Sequence, residues 1–165
     1  YDSAVARGAN IYGELIGFGE SGDANHITTP SLNGPSRAMK AAYKMAGEPK
    51  IDYVNAHGTS TPINDKNETA AVKDLLGSKE SCPPMSSIKG QLGHCLGAAG
   101  GIEAVTCLMA MRDGIIPPTI NNETPDENCD LDYVTEGARK ADLNVCMSNS
   151  FGFGGTNGVL IFKKI

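Results

Sequence analysis

IDYVNAHGTSTP, residues 51–62, passes from strand-forming residues into a turn of small and hydroxylated ones. IDYV at 51–54 reads as a short strand. His57, one of three histidines among 165 residues, follows its end, where functional side chains of α/β folds gather. Thr59 and Thr61 alternate in an extended run, so both hydroxyls can point the same way. A helix is predicted over 66–76, with Asp65 as N-cap, Glu68 in the capping-box position and Gly77 as its stop. Strand, polar turn and helix in that order point to an α/β fold.

The same alternation runs through the rest of the chain. IYGELIGF at 11–18 reads as a buried strand. PSRAMKAAYKMA at 35–46 reads as a helix with Met39, Ala42, Tyr43 and Ala46 on one face; Asn33-Gly34 introduces it and Gly47 closes it. A third helix is predicted over 98–113, carrying Ile102, Val105, Leu108 and Met109 and ending at Gly114. Pro117-Pro118 and Pro125 mark an extended linker. Strands at 143–148 and 159–162 flank the turn SFGFGGTNG. The class is therefore α/β, in one domain over 1–165.

Composition narrows the partners. A hydrophobic content of 40% suits one well-buried domain, and a net charge of −5 argues against nucleic acid or an anionic membrane. No segment approaches the roughly 18 continuous apolar residues of a membrane span. The start, YDSAVARGANIYGEL, has neither initiator Met nor signal-peptide layout, so the chain reads as a fragment or processed piece. Five cysteines, odd in number and never spaced C-x-x-C, favour free thiols in a reducing compartment.

Two glycine patterns resemble nucleotide-binding motifs and are rejected. Gly17, Gly19 and Gly22 fit G-x-G-x-x-G, but DANHITTP follows in place of a helix, and 36–44 contains no acid for a ribose. GFGGTNG at 152–158 has Asn157 at the third motif glycine and lies between two strands, which suits a close-approach loop.

Chemistry concentrates in VNAHGTSTP (54–62), SSIKGQLGHCLGAAGG (86–101) and SNSFGFGGTNG (148–158), where polar groups sit among small residues. Small residues admit a ligand close to backbone N–H donors. A lone His57 is compatible with a structural, hydrogen-bonded residue, and Thr59 and Thr61 with turn caps or with a ligand amide ladder. Lys89 either has a lowered pKa or pairs with an acid, and Glu103 is the natural partner. His94, near a helix N-terminus, should stay neutral and donate through Nε2. The two histidines make a good oxyanion device and a poor zinc site, since no third ligand is regularly spaced. Cys95 adjoins His94, but neighbours in sequence rarely aim at one atom, so it reads as a small helix-start residue.

These three stretches, in this order and at these separations, resemble the β-ketoacyl-acyl-carrier-protein synthases, condensing enzymes of the thiolase-like superfamily. PPTINNETPDENCDLDYV (117–134) and the ending LIFKKI fit as well. The resemblance covers essentially the whole chain, but only the family's C-terminal half. It implies the C-terminal lobe of a five-layered α-β-α-β-α sandwich, with the lobe bearing the nucleophilic cysteine absent, so that the chain alone is inactive. It implies decarboxylative condensation of malonyl-acyl carrier protein with an acyl-enzyme in fatty-acid elongation; the alternatives are a polyketide ketosynthase and a non-catalytic carrier-binding lobe. By the resemblance, His57 and His94 donate to the malonyl thioester carbonyl, and Lys89 with Glu103 organises the site. The Phe153 N–H serves the acyl-transfer oxyanion and its ring gates the acyl pocket, within a loop of Phe151, Gly152 and Gly154. Thr59 and Thr61 bind the pantetheine. Asp23 and Thr28 belong to a second mobile loop, in which His26 is structural. A structural cation falls near Asn55, Glu103, Ser148 and Asn149.

The resemblance also implies no required cofactor beyond the carrier's phosphopantetheine. It implies acyl carrier protein as partner, a homodimer for the full-length enzyme, and a cytoplasmic or organelle-matrix location. An acidic carrier needs a local basic patch; Arg37, Lys40 and Lys44 are candidates, or simply a solvated helix face. Two departures stand out. Gly90 replaces the family's Ser after the lysine, and Asn64 replaces a turn glycine, where Asn can hold left-handed dihedrals.

Overall fold

The computed structural model describes residues 1–23, 26, 31 and 33–165. The elements are α1 (Asp2–Ala6), β1 (Glu14–Gly22), α2 (Asn33–Met45), β2 (Tyr53–Asn55), α3 (Asn64–Leu76), β3 (Met85–Ser86), α4 (Lys89–Leu92), α5 (Ala99–Asp113), β4 (Ile115–Ile116), β5 (Arg139–Lys140), β6 (Val145–Phe151) and β7 (Thr156–Lys163). The main sheet runs β1-β7-β6-β2-β3. β2 lies parallel to β3 and β6, while β7 is antiparallel to β6 and β1.

Strand alternation sorts the core into two layers. Val54, Met147 and Ile161 face a cluster with Ala38, Met39 and Ala42 of α2 and Ala71 and Val72 of α3. Their neighbours Tyr53, Cys146 and Phe162 face the opposite cluster, with Cys107, Ala110 and Met111 of α5. Period-2 alternation in strands buried on both faces thus gives an α/β/α stack.

The rejected G-x-G-x-x-G motif has a packing role. It lies inside β1, and a Cβ at Gly17 would meet the Ala42 carbonyl oxygen at 2.5 Å. A Cβ at Gly19 would overlap the Ala38 carbonyl oxygen. These glycines let the alanine face of α2 lie on the strand backbone.

Parallel pairing has the consequence that matters most for function. β2, β3 and β6 end on the same edge, with Asn55 level with both Ser86 and Ser148. The three chemistry-bearing stretches therefore leave the sheet side by side.

Several expectations need correction. α3 starts at Asn64 with Ile63 in the cap position, so Asp65 is no N-cap. Thr61 Oγ1 instead accepts the Asn64 N–H at 3.4 Å, and Asp65 Oδ1 accepts the Ser60 N–H at 3.2 Å. Asn64 is helical; the left-handed residues of this turn are Gly58 and Ser60. α5 ends at left-handed Gly114, as read, but its buried residues are Ala99, Glu103, Cys107, Ala110 and Met111, while Val105 is 56% exposed. This helix is apolar on every side, so periodicity could not tell which face meets the sheet. α1, β3, β4 and β5 are too short to leave a pattern. Gly90 packs on Ile120, where a Cβ would meet Cγ1 and the carbonyl oxygen at 3.0 Å, so the smaller residue fits its neighbour.

Gly19→Ala should destabilise the chain by roughly 1–3 kcal/mol through overpacking and lower its melting temperature by several degrees. Gly22→Ala, with open space around it, should leave thermal unfolding unchanged. Equal melting temperatures for both variants would show that α2 is not seated on the glycines.

Candidate active site

His57 enters from β2 and is 6% exposed. Its loop is held from behind by Glu68 of α3, 1% exposed, whose carboxylate accepts the His57 N–H at 2.9 Å and the Gly58 N–H at 2.9 Å. Asn149 Nδ2 donates to the same carboxylate at 3.0 Å. Burial pushes the Glu68 carboxyl up, against the pull of these three donors. Gly58 is obligatory in this turn, since it has φ +41° and a Cβ would meet that of Ser87 at 2.5 Å. Ser87 Oγ donates to the Gly58 carbonyl at 2.8 Å, joining the first loop to the second.

The His57 and His94 rings stand edge to face, with centroids 5.4 Å apart. The Leu96 N–H donates to His94 Nδ1 at 3.1 Å, which assigns the ring proton to Nε2. His57 Nδ1 is buried with no partner among the described residues. Burial, reinforced by Lys89 and His94, lowers the His57 pKa to about 3, so this ring is neutral at ordinary pH. A backbone amide thus orients the His94 ring, while burial and neighbouring positive charge keep His57 neutral.

Lys89 Nζ pairs with Glu103 Oε1, both side chains being nearly inaccessible. Ser150 Oγ donates to the other oxygen, Oε2, at 3.2 Å. Burial raises the Glu103 pKa, and Lys89 and Ser150 oppose the rise. The predicted lysine–acid pair is present. Phe151, 7% exposed, places its ring 5.6 Å from that of His57, while Phe153 is 68% exposed. The glycine loop is an antiparallel connection between β6 and β7, as read, with left-handed Gly154 and Gly155. Asp23 meets it through its N–H to the Gly155 carbonyl at 3.0 Å, and its carboxylate holds the Ser31 amide and hydroxyl. Thr28 lies outside the described residues.

The Thr59 and Thr61 hydroxyls face one another at 3.0 Å. Cys95 is exposed and turns its thiol back toward the Leu92 and Gly93 carbonyls of its own loop. Of the suggested basic patch, Lys40 pairs with Asp74 at 2.6 Å and Arg37 donates to the Gly22 carbonyl at 2.8 Å. A cavity of about 570 Å³ lies behind the histidine loop, lined by Ala56, Gly58 and Ser60 on one side and by the segment after Thr119 on the other. It touches neither histidine, although Thr61, Glu68 and Ser87 also line it.

Asn55 belongs to a buried chain of hydrogen bonds whose direction is fixed. Ser86 Oγ donates to the Pro117 carbonyl at 2.6 Å, so Tyr53 donates to Ser86 at 2.8 Å and Asn55 Nδ2 to Tyr53 at 3.2 Å. Asn55 Oδ1 is then left without a partner among the described residues. Ser148 lies level with Asn55 on the α5 side, whereas Asn149 points to the α3 side and Glu68. No group of three or more His, Cys, Asp or Glu among the described residues is placed to hold a metal. Nor is any helix among them long and apolar enough to cross a membrane.

The sequence assigns Glu68 only a capping-box role and does not single out Ser150. The further signal for Glu68 is an acid four residues before Val72 on the buried stripe of its helix.

Residues 12–123 match the family model described as "Beta-ketoacyl synthase, C-terminal domain". The chain is 52% identical to 3-oxoacyl-[acyl-carrier-protein] synthase 2 of Staphylococcus aureus over 99% of its length, and spans 40% of that relative. It superposes with TM-score 0.94 on a β-ketoacyl synthase from Burkholderia phymatum, at 41% identity, covering 100% of this chain and 40% of the other. A type II polyketide ketosynthase in complex with its acyl-carrier protein also matches, with TM-score 0.94 and 35% identity, over 100% of this chain and 41% of that one.

The neutral histidine has a stability signature. Unfolded chains protonate His57 near 6.5 and the folded chain only near 3, so its contribution to stability is lost as pH falls through that window. Glu68 and Glu103, raised by burial, act in the opposite sense. Urea unfolding between about pH 6.5 and pH 5 should therefore show a steeper loss for the native chain than for His57→Asn. Parallel curves would count against a neutral, buried His57.

Proposed function

The chain belongs to the β-ketoacyl synthase family through that family's C-terminal domain, and on that premise we propose that it is one lobe of a 3-oxoacyl-acyl-carrier-protein synthase that elongates fatty acyl chains. The observation that carries the reading is the pair of histidine rings meeting at the ends of parallel strands, with Lys89 and Glu103 ion-paired behind them.

In this reading an acyl group moves from a phosphopantetheine thioester to a cysteine thiolate outside this chain. Malonyl-carrier thioester then loses carbon dioxide. The enolate carbon attacks the acyl thioester, a C–C bond forms, and the cysteine C–S bond breaks to return the thiolate. His57 and His94 donate to the malonyl thioester oxygen as it gains negative charge. Because both rings are set in place before the charge develops, they favour the transition state over the ground state. Lys89, held by Glu103, adds positive charge nearby. The Phe153 N–H serves the oxyanion of the acyl-transfer step, and its exposed ring, with Phe151, Gly152 and Gly154, forms the gate. Asp23 couples to that gate through Gly155, with Thr28 further along the same stretch. Thr59 and Thr61 offer adjacent hydroxyls to the pantetheine amides.

No cofactor is required for these steps. A structural cation fits the orphaned Asn55 Oδ1 on the Glu103 side of the sheet. Asn55, Glu103 and Ser148 would hold it, while the Asn149 side chain points to the other face of the sheet, toward Glu68. Its chemistry would be to neutralise carboxylate charge and tie β2 to β6. Exposed Leu92, Leu96, Val105 and Phe153 are apolar surface that a second lobe would cover, completing a five-layered sandwich. The partner is acyl carrier protein, the whole enzyme a homodimer, and the location cytoplasmic or an organelle matrix. The similarity to a polyketide ketosynthase favours, as second reading, the same reaction on a growing polyketide.

Incubated without the other lobe but with carrier protein bearing an acyl thioester, the chain should show no stoichiometric acyl adduct by intact mass. Joined to its cysteine-bearing lobe it should be acylated there, and His57→Ala should lower condensation by roughly 10²–10³ while sparing acylation. A stoichiometric thioester on Cys95 or another of the five cysteines present here would overturn the assignment.

A further inference from the structure

The Glu103 carboxylate divides its two oxygens between two elements. Lys89 of α4 takes Oε1, and Ser150, the penultimate residue of β6, takes Oε2 at 3.2 Å. Glu103 is 1% exposed, so an oxygen deprived of its donor would have no water to replace it. Two residues, Phe151 and Gly152, separate Ser150 from Phe153, whose ring is the exposed tip of the glycine loop. The approach is enforced from the other side too. Gly100, one turn before Glu103 on α5, lies so close that a Cβ there would meet Ser150 Oγ at 3.1 Å.

We propose that Ser150 is a positioning residue that ties the Phe153 loop to the Lys89–Glu103 pair, so that the setting of the loop reaches the ammonium beside His57. A change in the path of β6 at Ser150 moves the donor on Oε2. The carboxylate, left with Lys89 as its one side-chain donor, then rotates and takes Lys89 with it. This inference rests on the functional reading above, in which Lys89 acts in decarboxylation and condensation rather than in acyl transfer.

The test uses the protein containing both lobes. Ser150→Ala should lower kcat for condensation roughly ten-fold, with KM for malonyl carrier and the rate of acylation within about two-fold. Ser150→Thr, which keeps the hydroxyl, should recover most of the loss. Gly100→Ala should reproduce it by displacing Ser150 Oγ, and the double variant Gly100→Ala/Ser150→Ala should be no slower than Ser150→Ala. Native kinetics in Ser150→Ala, an equal fall in acylation and condensation, or multiplicative losses in the double variant would each overturn the proposal. Activity is not the only readout. Melting-temperature losses of Ser150→Ala and Glu103→Gln should be non-additive, and additive losses would overturn it as well. A native protein without condensing activity would sink the functional reading alone, and the melting-temperature cycle would then decide whether Ser150 and Glu103 are tied.

Discussion

Glu68 is a carboxylate set where water does not reach, and the histidine loop is arranged around it. Its two oxygens take the amides of His57 and Gly58 from one strand end and the Asn149 side chain from the neighbouring strand. Sharp turns leave backbone N–H groups unpaired, and a buried unpaired N–H is costly. Supplying both partners from α3 lets the loop keep its left-handed Gly58 and Ser60 and still be ordered. Without that carboxylate the amides of His57 and Gly58 would lose their acceptor.

The second buried carboxylate, Glu103, is treated differently. Glu68 is satisfied by neutral donors, whereas Glu103 has an ammonium on one oxygen and a hydroxyl on the other. A carboxylate buried without a cation has its pKa raised by desolvation; one with Lys89 beside it keeps its charge more readily. The consequence is local. Positive charge from Lys89 faces His57, which burial has already made reluctant to protonate. The two acids thus divide the labour of the site, one fixing backbone and the other fixing charge.

Much of this was legible in order and spacing. The three polar stretches announced themselves because hydroxyls, histidines and a lysine sit among small residues, and the Lys89–Glu103 pairing follows from one loop preceding one helix. Sequence makes Glu68 a capping-box acid because a position three residues after Asp65 suits that role equally well. The error is physical: capping is a contact within one helix, whereas Glu68 reaches to two other elements brought near only by the sheet. The same holds for Ser150, an ordinary strand serine until α5 packs over it at Gly100. For α5, every side is apolar, so no periodicity could say which residues meet the core.

Local sequence determined the alternation of strands and helices, the places where the chain must turn, and the residue types that make the chemistry available. These depend on neighbours a few residues apart, on propensity, glycine dihedrals and proline breaks. Tertiary structure alone decided that β2, β3 and β6 run parallel and end together, which brings residues as distant as His57, Lys89 and Ser150 to one edge. It also decided which acids lose their water. Burial and strand register are properties of packing between segments far apart in the chain, and they set both the neutrality of His57 and the partners of the two carboxylates.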